Sequence, residues 1–137
     1  MQYACTGRGC DLQSATPFTD GMCDACWERR RIREQNDAFR RTGQGGQMFF
    51  TRGIDALPTW AQLSILTRVR TFDAFTEDND PWGEHDYGSF DFRVGHDTHT
   101  IMWKIDYYDR ELKNGSPEPA NPVVTARVLT VLLPDEW

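Results

Sequence analysis

The sequence predicts an α+β protein, with a small antiparallel sheet, two main helices and an N-terminal zinc-binding knuckle of four cysteines. Apolar and polar residues alternate on both sides of Gly95, which indicates a β-hairpin with one buried face. Two longer runs show helical periodicity, and the four cysteines form two close pairs. Because 137 residues suit one domain, we expect a single core over 31–137, preceded by a knuckle over 1–30 that leads into the first helix.

The predicted zinc ligands are spaced C-x4-C-x12-C-x2-C. They are Cys5, Cys10, Cys23 and Cys26. Two thiolate pairs at this spacing suit tetrahedral Zn²⁺, and four cysteine ligands leave no position for water, so the site should be structural. The chain shows no secretory signal and no apolar run long enough for a membrane span, which predicts a cytoplasmic protein without a membrane partner. A reducing compartment favours metal over disulfides, and the alternative is four unrelated core cysteines.

The first helix should begin at the second cysteine pair and is rich in arginine. The candidate phosphate contacts on it are Arg29, Arg30, Arg33, Arg40 and Arg41. A zinc knuckle that feeds such a helix is compatible with a DNA-binding regulator. Glu28, Glu34 and Asp37 interleave with the arginines at helical spacing, however, and can pair with them.

The remaining elements follow in order along the chain. A glycine-rich break at 42–46 ends the first helix, and 47–51 is a short strand. Pro58 starts the second helix, whose expected core stripe is Trp60, Leu63, Leu66 and Val69, widened by Ile65. A polar loop over 76–88 precedes the hairpin, a proline-rich loop covers 114–122, and 123–133 is a largely apolar and therefore central strand.

Charge divides the chain into a basic front and an acidic back. Residues 1–70 carry ten Arg against seven Asp or Glu, whereas 71–137 carry five Arg or Lys against fourteen Asp or Glu, for a total of −6. An acidic half repels nucleic acid and suits a basic protein surface, although ordinary solvated surface is an equally good interpretation. The candidate partner-binding residues are Glu77, Asp78, Asp80, Trp82, Glu84, Asp86, Asp106 and Asp109.

His85 lies among several of these carboxylates, and such a cluster can bind a hard cation or perform acid–base chemistry. The spacing does not fit an EF-hand, and the chain lacks the usual hydrolase and zinc-protease motifs. A lone histidine beside carboxylates is more often a structural hydrogen-bonding hub. A hydrolase or nuclease is therefore the third hypothesis, and we expect no catalytic residues.

Four stretches resemble a bacterial protein family of unknown function, DUF3768. They are RIREQNDAFRRT, FTEDNDPWGEHDYGSF, WKIDYYDRELKNGSPEPANP and TARVLTVLLPDEW, and the resemblance covers Ile32 to Trp137. It implies an accessory gene of plasmids and phages but no activity. Small acidic proteins of this kind often inhibit host defence, as anti-CRISPR and anti-restriction proteins do. The first hypothesis is therefore a non-enzymatic inhibitor that binds the nucleic-acid-binding surface of a host defence complex, such as a CRISPR effector.

Overall fold

The computed structural model describes residues 23–137, which form one four-stranded sheet with helices packed on one of its faces. The helices are α1 (Asp24–Thr42), α2 (Arg52–Asp55) and α3 (Thr59–Arg70), followed near the end by a short 3-10 turn (Pro134–Glu136). The strands are β1 (Gly46–Phe50), β2 (Tyr87–Val94), β3 (Asp97–Tyr108) and β4 (Ala126–Leu132). The α+β class is confirmed.

The strand order is β1-β4-β3-β2, and the sheet is mostly antiparallel. The predicted hairpin is confirmed as β2 and β3, and the final strand is confirmed as a central one. The pairing of β1 with β4 is parallel, which departs from the all-antiparallel prediction. Alternation of apolar residues specifies which face of a strand is buried but not the direction in which that strand runs.

The core lies between the helices and one face of the sheet. Alternate residues of the two central strands are buried, and these are Ile101, Trp103, Ile105, Leu129 and Val131. They pack against apolar side chains of the three helices: Phe39, Ile54, Ile65 and Val69. The opposite face carries half-exposed Lys104 and Thr130. A sheet with one covered face explains the period-two pattern in β2 and β3.

The core stripe of α3 differs from the prediction. Its buried residues are Ala61, Ile65 and Val69, whereas Trp60 and Leu63 are 55% and 61% exposed. The small Ala61 side chain faces the core instead of the large Trp60, whose ring lies 6.2 Å from that of Phe92. Ala61, Ile65 and Val69 recur at i, i+4, i+8, which is as good a helical stripe as the predicted i, i+3 series.

Helix α1 begins beside the second cysteine pair, as predicted. Cys23 occupies the position before its first turn, and both Cys23 and Cys26 are buried. Cys5 and Cys10 lie outside the described residues, so the four-cysteine site remains a prediction. The predicted boundary between 30 and 31 falls inside α1. Among residues 23–137, no helix combines the length and the apolar character needed to span a bilayer.

Candidate docking surface

The acidic loop, residues 76–86, has an internally bonded and well-defined backbone. The Thr76 N–H donates to Asn79 Oδ1 at 2.8 Å, and Asn79 Nδ2 donates to the Ala74 carbonyl at 2.9 Å. The Asp80 N–H donates to the Thr76 carbonyl at 2.8 Å. Asn and Asp side chains that bond nearby backbone groups are the usual means of fixing a turn. The loop therefore holds its shape through its own short-range hydrogen bonds.

Helix α1 supports the second half of this loop along one side. The Arg29 guanidinium lies over the Trp82 ring at 4.4 Å, and Arg33 donates to the Gly83 carbonyl at 3.1 Å. One turn further on, Asn36 Nδ2 donates to the Glu84 carbonyl at 3.0 Å. Helix residues 29, 33 and 36 follow the i, i+4, i+7 spacing of one helix face. Consecutive loop residues are thus fixed by consecutive turns of α1.

His85 ends this series and is clamped by two carboxylates. Its Nδ1 lies 2.9 Å from Asp37 Oδ1, and its Nε2 lies 3.6 Å from Asp80 Oδ2. The imidazole stacks on the Phe75 ring with centroids 3.8 Å apart, and the backbone of His85 has a φ of 55°. The Nδ1 atom is within hydrogen-bonding distance of Asp37, whereas the contact of Nε2 with Asp80 is longer than a hydrogen bond.

A second polar cluster connects the end of the loop to the sheet. The Tyr107 hydroxyl donates to Glu84 Oε1 at 3.0 Å and accepts from Asn36 Nδ2 at 2.8 Å. Burial, followed by repulsion from Asp86 and Glu84, raises the pKa of Tyr107, so the hydroxyl keeps its proton. Burial and then the Glu84 carboxylate raise the pKa of Asp86 to about 6. Asp106 adds to this effect, so Glu84, Asp86 and Asp106 share one electrostatic environment.

The predicted partner-binding residues do not all reach the surface. Glu77 and Asp78 are exposed, and Trp82 is 62% exposed. Asp80 is only 3% exposed, and its Oδ1 accepts from the N–H groups of Glu84 and His85. Its carboxylate shapes the loop, so we leave it out of the contact surface as a correction to the sequence-based set.

The two predicted acidic residues of β3 and its following turn are held locally. Asp106 lies 3.0 Å from Lys104 Nζ and remains half-exposed. Asp109 Oδ1 accepts from the Lys113 N–H at 3.0 Å in the turn after β3. Both carboxylates are therefore partly occupied by contacts within the protein.

The candidate phosphate contacts on α1 are largely occupied by other groups. Arg40 is 1% exposed and donates to carbonyls at the end of α3, so its inclusion in a phosphate-binding set is corrected. Arg30 lies 2.9 Å from Glu34, while Arg29 and Arg33 contact the acidic loop. Of the five residues predicted, Arg41 is exposed, Arg29, Arg30 and Arg33 are half-buried, and Arg40 is buried. The helix thus offers few arginines to a nucleic acid.

Sequence reasoning missed a buried arginine that joins α1 to the sheet. Arg127 is 3% exposed, donates through Nε to Asn36 Oδ1 at 2.9 Å and lies over the Tyr107 ring. A second donation reaches the Pro119 carbonyl at 2.7 Å. The only signal in the sequence was a charged residue within an otherwise apolar central strand, TARVLTVLL.

The part of the chain that the structure describes contains an open cleft but no metal-binding cluster. No group of three or more His, Cys, Asp or Glu side chains within 23–137 is placed to hold a metal ion. An open cleft of about 500 Å³ lies between α1 and the proline-rich loop, lined by Trp27, Arg31 and Pro117 among others. The residues that line it do not include His85.

Comparison with known proteins gives a family but no activity. Residues 50–136 match the sequence profile of a family described as a protein of unknown function, DUF3768. No curated protein and no solved structure matches the chain significantly.

Proposed function

This chain belongs to the DUF3768 family, and we propose that it is a non-enzymatic binding protein that docks its acidic loop on a basic, nucleic-acid-binding surface of another protein. One observation carries the proposal: an exposed tryptophan stands in an internally hydrogen-bonded loop that also exposes Glu77 and Asp78 and contains no lysine or arginine. Tryptophan is enriched among residues that dominate binding energy, and a loop fixed before binding loses little entropy on docking.

Charge indicates the class of partner. Carboxylates can replace the phosphates that lysines and arginines of a nucleic-acid-binding protein normally contact, which makes such a protein a natural target. We propose that this binding takes place in the cytoplasm of a host cell. There the protein would serve a plasmid or phage by inhibiting a defence complex, as anti-CRISPR and anti-restriction proteins do. The resemblance of the sequence to accessory proteins of mobile elements supports that context.

The test combines capture with competition. A host effector complex carrying its basic nucleic-acid channel is immobilised, and binding of the protein is measured with and without the substitutions Glu77→Lys and Asp78→Lys. The matched control reverses Glu111 and Asp135, which are also exposed and change the net charge equally. We expect the loop variant alone to lose binding and to lose the ability to displace nucleic acid. Equal behaviour of the two double variants would remove the acidic loop from the interaction.

We also propose that Cys5, Cys10, Cys23 and Cys26 hold one structural Zn²⁺ next to the start of α1. Support comes from the spacing of the four cysteines and from the burial of Cys23 and Cys26 at the helix N-terminus. Elemental analysis of the purified protein should give one zinc per chain, and Cys23→Ser should release it. Metal-free protein with an unchanged unfolding midpoint would contradict the site.

The DNA-binding alternative predicts a different salt response. A regulator that used the arginines of α1 would retain duplex DNA at low salt and lose it steeply as salt rises. Arg41→Ala should then weaken retention, because Arg41 is the exposed member of the set. A mobility-shift assay without any retained DNA at low salt would dismiss this alternative.

A further inference from the structure

Arg29 and Trp82 form a pair that the proposed function leaves unexplained. The indole is 62% exposed, yet the guanidinium of Arg29 covers one of its faces at 4.4 Å. An unsupported exposed tryptophan would sample several rotamers, and ordering it on docking would cost conformational entropy. A cation over one face holds the ring in place while leaving the rest of its surface accessible.

The contact belongs to a continuous strip of support. Arg29 meets Trp82, Arg33 meets the Gly83 carbonyl, and Asn36 meets the Glu84 carbonyl. At residues 83 and 84 the helix donates hydrogen bonds to backbone carbonyls of the loop. The Glu84 side chain therefore remains available to accept from Tyr107. At residue 82 the helix contacts the face of the Trp82 ring through Arg29. The strip therefore positions the loop and covers only one face of the Trp82 ring.

We infer that Arg29 is a positioning residue that presents the Trp82 ring as the aromatic anchor of the acidic loop, for insertion into a basic protein surface. The inference rests on the proposed function and reassigns Arg29, which the sequence suggested as a phosphate contact. The partner is a protein with arginine or lysine side chains around an apolar pocket, because the loop supplies an exposed indole, the exposed carboxylates of Glu77 and Asp78, and no cation of its own.

The experiment uses the full chain and a fluorescein-labelled peptide of alternating arginine and leucine residues as the probe. Arg29→Ala and Arg31→Ala each remove one positive charge, and Arg31 is exposed on the same helix, so the net charge changes equally in both. We expect Arg29→Ala to weaken peptide binding about two- to fivefold, which is the range set by an exposed cation–π contact. Arg31→Ala should bind as tightly as the parent or more tightly.

Two readouts separate positioning from general destabilisation. The Arg29→Ala effect should vanish when Trp82→Ala is already present, which a double-mutant cycle measures directly. The fluorescence of Trp82 is taken as the difference between a protein and its Trp82→Phe variant. Quenching of this fluorescence by acrylamide should increase in Arg29→Ala but not in Arg31→Ala. Urea unfolding should show that both alanine variants are fully folded under the conditions of the binding assay.

Each contrary outcome has one meaning. Equal peptide affinities for the Arg29 and Arg31 variants, or an Arg29 effect that persists without Trp82, would overturn the inference. Loss of the Glu77 and Asp78 carboxylates without effect on peptide binding would instead overturn the proposed function, and acrylamide quenching would still test the Arg29–Trp82 pair. Unchanged quenching in Arg29→Ala would show that the guanidinium does not hold the ring.

Discussion

The buried guanidinium of Arg40 should be one of the most important single groups for the stability of the fold. It is 1% exposed and donates through one nitrogen to the carbonyls of Val69 and Phe72, each at 2.8 Å, and to that of Arg70 at 3.2 Å. Its other terminal nitrogen donates to Asp37 at 3.0 Å. The side chain thus satisfies carbonyls at the C-terminal end of α3, which a helix leaves without internal donors.

Arg40→Ala removes these donors and leaves the carbonyls in a site that water reaches poorly. Each buried acceptor left without a partner costs about 1–3 kcal/mol, and removing one member of a buried ion pair costs about 3–5 kcal/mol. The two estimates describe overlapping effects, so they do not add. We expect a loss of about 3–5 kcal/mol in the free energy of unfolding, which is a large part of the total for a domain of this size.

Urea unfolding followed by tryptophan fluorescence measures this loss, because Trp103 lies 5.1 Å from the Arg40 guanidinium. Arg41→Ala is the matched control, since it removes the same side chain one residue later at an exposed position and should change stability by less than about 0.5 kcal/mol. Arg40→Lys keeps the charge but cannot reproduce the planar set of donors, so it should also destabilise. A loss below about 1 kcal/mol for Arg40→Ala would refute this account of the α3 terminus.

Three further substitutions test other parts of the structure. Gly88→Ala should lower the free energy of unfolding by about 1–3 kcal/mol through overpacking, because an added Cβ would lie 2.5 Å from Trp103 Nε1 and 2.8 Å from the Phe72 ring. Ser89→Ala, at an exposed position, is the control in the same urea assay. Asp86→Asn should stabilise the protein at pH 7.5 by at most about 3 kcal/mol, because folding raises the pKa of Asp86 from 3.8 to about 6 and so opposes its ionisation. This gain in stability should shrink as the pH falls from 6 to 4. A gain that does not change with pH would contradict the explanation. Glu136 accepts from Thr51, Gly53 and Leu133, and these bonds, the Thr51 hydroxyl first, lower its pKa. Glu136→Gln should therefore reduce the melting temperature at pH 7 and make less difference as the pH falls through that lowered pKa, whereas Asp135→Asn should have little effect at either pH.

The sequence predicted the elements of this fold better than their packing. Alternation along residues 90–94 and 101–105 located the hairpin, and a left-handed Gly43 with φ of 76° ends α1 where the glycine-rich break was expected. The stripe on α3 was misjudged because Trp60 and Ala61 are adjacent and both fit a helical period. Which one faces the sheet depends on the space beneath the helix, and that space is set by side chains on other elements.

The polar groups of the candidate surface were harder to sort than the apolar ones. Arg40 and Asp80 were both predicted to be surface charges, but both are buried. Arg40 donates to a backbone carbonyl of α3, and Asp80 accepts from backbone N–H groups of its own loop. A backbone carbonyl is present at every residue and leaves no trace in the amino-acid pattern. Carboxylates at Glu77 and Asp78, by contrast, were correctly expected at the surface, since nothing in a turn favours their burial.

The parallel ladder between β1 and β4 joins strands that are far apart in the sequence, and we expect this to slow folding. It joins Gly46 to Arg127 and Phe50 to Val131, and β4 is also the strand that links β1 to the hairpin. Until the last strand in the sequence is in place, the first has no neighbour in the sheet, and its hydrogen-bonding groups stay open to other chains. Closing so long a loop slows folding more than it lowers stability. Early, incomplete chains should therefore be the species most prone to self-association during synthesis.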